Sequence, residues 1–151
     1  MLTRFTKKDL ARPDARFAFM RVIEDRAGSG LVIEVLNLTA SLDTPIAEVV
    51  RAKRLFRPVT VTRLAIDKKR WTPMGVQENY DRERDAGYSD ISLDLSPTHD
   101  PVLWKGGVKT PMSLEEASRH EPWTFWNAGK LEKRIIDALQ SLADLRARLT
   151  S

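Results

Sequence analysis

The chain has no cysteine among its 151 residues. That excludes disulfides, thiolate nucleophiles and cysteine-ligated metals, and it fits a reducing, cytoplasmic setting. Histidine is scarce: there are two, His99 and His120. They share no helix turn and no H-E-x-x-H pattern, so a metal centre built from them with Asp94 and Asp100 has no supporting spacing. No run of about 18 apolar residues occurs, so no segment is expected to cross a bilayer as a helix. The opening MLTRFTKKDLARPDARFAF lacks an apolar core, so no secretory signal is expected.

Catalytic signatures are missing as well. The serine of GSG at 28–30 falls in a turn pattern and is not a G-x-S-x-G nucleophile. KGGVKT at 105–110 has neither the spacing nor the preceding strand of a phosphate loop. Glu24, Glu34 and Asp67 with Lys69 could be assembled into a nuclease-like carboxylate set, but strand carboxylates are common on open sheet faces. No cofactor and no metal are expected.

What the chain does have is charge of uneven placement. The formal net charge is +4. Residues 1–75 carry 15 basic and 8 acidic groups, a net of +7; the remainder carries 10 and 13, a net of −3. The stretch VVRAKRLFRPVTVTRLAIDKKRW at 49–71 concentrates it, with eight basic residues and one acid, Asp67, between Arg51 and Arg70. A nucleic-acid surface read from this stretch would use Arg51, Lys53, Arg54, Arg57, Lys68, Lys69, Arg70 and Trp71. The plainer reading is solvated charge at a helix end and a strand end. A strand between them spans roughly 30 Å, so one cluster in sequence becomes two patches, with Arg63 between them in a partly buried ion pair. Phosphate binding needs several cations tracking one backbone.

The pattern of elements predicts an α+β fold. ARFAFMRVIE at 15–24 and LVIEVLNL at 31–38 read as a β-hairpin around DRAGSG. Thr44-Pro45 opens a helix that Pro58 ends near residue 56. VTVTRLAI at 59–66 reads as a strand, and YSDISLDLS as another. Residues 96–112 read as a long loop. SLEE at 113–116 is a capping box for a short helix. Residues 127–149 form a long amphipathic helix, with Leu131, Ile135, Ala138, Leu142, Leu145 and Leu149 stepping by three and four. The expected body is one domain over 1–151. It has a small sheet of about four strands in the order ββαβ…β, covered by helices.

Four tryptophans lie outside the main elements: Trp71, Trp104, Trp123 and Trp126. Either they pin loops to the sheet, or some anchor a partner. Trp123, Phe125 and Trp126, followed by Leu131 and Ile135, are the candidate partner-binding residues. The function expected first is a non-enzymatic protein-binding or structural subunit that contacts other proteins or its own copies. A nucleic-acid accessory protein using residues 51–71 is the alternative, and a metal-dependent nuclease ranks third.

Overall fold

The structure, a computed structural model, describes residues 15–28, 30–96 and 100–150. Ser29 and His99 therefore lie outside the described residues. The fold is α+β, as the element pattern predicts. β1 (Phe17–Asp25) and β2 (Leu31–Ala40) form the expected antiparallel hairpin. Gly28 and Gly30 in its turn both take φ of +81°, a backbone angle that side chains with a Cβ resist. β2 is buried from Leu31 to Leu36, so both its faces leave water. Hence its run is nearly continuous in apolar residues, broken by Glu34. β3 (Val59–Val61) pairs antiparallel with β2, and β8 (Phe125–Trp126) pairs parallel with β3. The first sheet is ordered β1-β2-β3-β8.

A second sheet comes from a region where a long loop is expected. β4 (Ser92–Asp94) is central, with β5 (Val102–Lys105) and then β6 (Val108–Pro111) on one side and β7 (Glu121–Pro122) on the other. Gly106 and Gly107 have φ of +54° and +92°, two positive values in a two-residue hairpin turn. A Cβ at Gly106 would also meet the Ser89 Cα at 2.7 Å. The glycine pair in KGGVKT is thus a strand-to-strand turn.

Two further expectations are corrected. The helix expected to run to residue 56 is α1 (Ile46–Val49), with Pro45 at its cap position and no side-chain cap. The chain then leaves helical geometry to pair with β2: the Asn37 amide donates to the Lys53 carbonyl, and the Leu55 amide to the Val35 carbonyl. The strand expected at 59–66 ends at Val61, and α2 (Leu64–Asp67) follows. A short apolar run such as LAI fits either period, and tertiary context decides it. Among the described residues three more α-helices follow: α3 (Arg82–Ala86), α4 (Leu114–Ala117) and α5 (Ala128–Thr150). Ser113 caps α4 by accepting from the Glu116 amide at 3.1 Å. Asn127 does the same for α5, accepting from the Lys130 amide at 2.9 Å.

The first sheet is packed on both faces. One face meets α2, Trp71 and the start of α5 through Leu31, Ile33, Val35, Val59, Val61, Leu131 and Ile135. The other meets the second sheet and α3 through Ile23, Val32, Ala86, Tyr88, Ile91, Leu93 and Trp104. A third cluster, including Phe17, Phe19, Leu36 and Val49, closes the far end of the hairpin.

Candidate functional site

Folding divides the basic stretch by partner. Arg54 turns inward to Glu34, a buried carboxylate that Arg21 also binds through Nε at 2.7 Å. The same two arginines donate to the carbonyls of Asp85 and Ala86 at the end of α3, where helix carbonyls attract cations. Arg54 thus belongs to an Arg–Glu–Arg clamp on a buried carboxylate and is not a charge at the end of its own helix. Arg57 donates to the Arg119 carbonyl. Arg70 donates to both oxygens of Glu132, and the indole N–H of buried Trp71 donates to the same carboxylate at 2.9 Å. Arg63 pairs with Asp25, but both are half exposed, so the expected pair forms on the surface and not within the sheet. Arg51, Lys53, Lys68 and Lys69 are exposed. Lys53 lies beside Asn37, whereas the Val61 end of β3, from which the chain passes to α2 and then Lys68 and Lys69, pairs with Leu31. Six residues of β2 separate these levels, about 20 Å.

The aromatic candidates separate as well. Leu131 and Ile135 are 0% and 1% exposed and pack in the core, so they present no surface to a partner. Trp126 packs against the same cluster, and its indole nitrogen is buried without a partner among the described residues. Trp104 is buried and meets Tyr88 and Trp123 edge-on at 5.7 and 5.6 Å. Trp123 is partly buried, while Phe125 is 47% exposed.

These last two stand where the chain crosses between sheets. It leaves β7 at Pro122 and enters β8 at Phe125. The crossing, the β1–β2 turn and β6 together frame a mouth of about 400 Å³, lined by Arg26, Gly28, Leu95, Lys109, Trp123 and Phe125. Phe125 lies against Gly30, where a Cβ would strike its ring at 2.4 Å. Glycine at 30 therefore lets the phenylalanine sit beside the turn. The Arg26 guanidinium lies 4.8 Å from the Trp123 ring centre and 5.6 Å from that of Trp104. Such a contact is worth about 0.5–1 kcal/mol at an exposed site, enough to bias the side chain's direction. Its nearest acid, Glu24, is 3.8 Å away. Glu24 already binds Arg82 at 2.9 Å and accepts from the Tyr88 hydroxyl at 3.0 Å. Burial, reinforced by that hydrogen bond to Glu24, raises the Tyr88 phenol above its ordinary value. Lys109 pairs in register with Trp104 across β5 and β6, so both side chains emerge on one face. Phe125 and Trp123 carry a sequence signal. Arg26 and Lys109 carry none, because their meeting depends on two hairpins from separate sheets.

Among the described residues the other candidate groups lie apart. The nuclease-like carboxylates are dispersed: Glu24 serves Arg82 and Tyr88, Glu34 serves the arginine clamp, and Asp67 ends α2 on the surface. Among the described residues no three metal-ligating side chains gather. The Ser92 hydroxyl lies 2.9 Å from His120 Nδ1, a contact with no signal in the sequence. Neither residue lines a cavity described here, and a catalytic pair requires room for a substrate. A second cavity, about 390 Å³, opens beside β1 and the 72–80 segment; its walls include Phe17, Met20, Ile33, Trp71 and Met74. Arg21 on its wall is held by Glu34.

What these placements offer is a contact surface on an α+β frame. The sequence profile of the Immunity protein 26 family matches residues 9–100, more than half of the chain. The chain belongs to that family. No curated protein and no solved structure matches it. The matched range holds both strands of the first hairpin and extends through β4; β5 to β8 and α5 lie beyond it. No helix among the described residues is long and apolar enough to cross a membrane.

Proposed function

We propose that the chain is an immunity protein, which binds a protein toxin and holds it inactive without chemistry of its own. Membership of the Immunity protein 26 family is the observation that carries this reading. The geometry supports it in a second way. The exposed Phe125 and the arginine laid over tryptophan are residue types enriched at protein interfaces, and Lys109 beside them adds a positive charge to the mouth. The expected protein partner thereby becomes a toxin, and self-association is not required.

A competition experiment tests the proposal. Host cells deleted for the chain, mixed with otherwise identical cells that keep it, should be lost from the mixture. A plasmid copy should restore them. Equal survival of deleted and intact cells would sink the immunity reading.

A further inference from the structure

The geometry points to the mouth between the two sheets as the seat of a carboxylate-bearing loop of the partner protein, held by Arg26 and Lys109. This rests on the immunity reading for the existence of that partner and goes beyond it in naming the surface and the chemistry that fits. The first argument is charge. Among the described residues the lining holds two cations and no acid. Glu24, 3.8 Å from Arg26, makes its shorter contacts to Arg82 and Tyr88, and neighbouring Asp25 pairs with Arg63, so the guanidinium keeps donors to offer. Lys109 is exposed and emerges on the face that Arg26 covers.

The walls supply the second argument. Leu95, Trp123 and Phe125 surround the cations with apolar surface. A docked loop would shut water out there, and ionic contacts strengthen when water leaves. The third argument is shape. β6 is an edge strand with all four residues exposed, so a loop can reach Lys109 from the open side of the sheet. Two cations are too few to track a phosphate backbone, which favours a protein occupant over a nucleic acid.

The test is survival of deleted host cells that carry either the wild-type chain or a variant, mixed with toxin-producing kin, with melting temperatures measured on each purified variant. Lys109→Glu puts an acid where an acid should dock, and should lower survival roughly tenfold or more. Lys109→Arg keeps the charge and should stay within about twofold of wild type, as should Lys68→Glu on a distant surface. Arg26→Gln should fall with Lys109→Glu; if it melts early, the exposed Lys109 still decides the matter. Full protection by Lys109→Glu, beside full protection by wild type, would leave the immunity reading standing and overturn the mouth. Better protection by Lys109→Glu would mean a basic loop, and would overturn it too. No protection by wild type would remove the immunity reading, and with it the partner assigned to the mouth.

Discussion

Leu131 and Ile135, in the opening turns of α5, are 0% and 1% exposed; Leu145 and Leu149, toward its far end, are 54% and 79% exposed. All four sit on one repeating stripe. The difference lies in what is beneath them. β3 and β8, the strands under the start of the helix, have three and two residues. They make a shelf of about 10 Å, whereas the 23 residues of α5 extend about 35 Å. Polar groups divide at the same place. Glu132 and Arg134 bind residues of other elements, Arg70, Trp71 and Glu121. Asp137 and Asp144 accept from Lys133 and Gln140 of the helix itself. Periodicity reports which face of a helix is apolar. It does not report how far the neighbouring surface reaches.

The sharpest contrast should come from Leu131→Ala. Its side chain is fully buried among strands of the first sheet, so truncation should cost about 2–5 kcal/mol. Urea unfolding measures this directly, and a loss below about 1 kcal/mol would mean that the helix is not docked as described. Glu132→Ala should come next. It strands the buried indole N–H of Trp71 and the Arg70 guanidinium, at about 1–3 kcal/mol for an orphaned buried donor. The paired variant Trp71→Phe with Glu132→Ala should recover part of that loss. If the double variant is no more stable than Glu132→Ala alone, the Trp71 contact is not what Glu132 supplies.

The same limit on local patterns explains what was legible. Alternation along β1, the β-branched apolar run of β2 and the glycines between them make the first hairpin readable, because all three signals lie in consecutive residues. The β5–β6 hairpin had an equally good turn, two glycines, but its strands VLWK and VKTP look like loop sequence: β6 is wholly exposed and contains proline. The helix after Thr44 was read too long because Arg54 is drawn to Glu34, twenty positions away, and nothing local announces that partner. At the mouth, Trp123 and Phe125 were visible as a cluster. Arg26 and Lys109 were not, since two separate hairpins bring them together. The stripe through Leu131 and Ile135 reads from sequence either as packing on the sheet or as a partner contact, and the sheet beneath these two residues decides that they are core.

The smallest expected effect is at the other end of the helix. Removing residues 144–151 takes away exposed turns, with Leu145 and Leu149 among them. Leu131, Ile135 and the partly buried Leu139 and Leu142 stay. The loss should be under about 1 kcal/mol, since substitutions and trims away from the core rarely cost more, and unfolding should remain cooperative. Deleting 127–151 should instead abolish cooperative unfolding, because Leu131 and Ile135 leave with it. The shorter trim also separates stability from association. A stripe this exposed packs on a second copy only if the two helices pair, and sedimentation across a range of concentrations reads that pairing independently of melting. If the chain self-associates and the trim removes the association at unchanged monomer stability, the outer turns serve contact between copies. If full-length and trimmed chains sediment alike as monomers, the outer half of α5 is a solvated extension of the helix, and the two halves differ in burial alone.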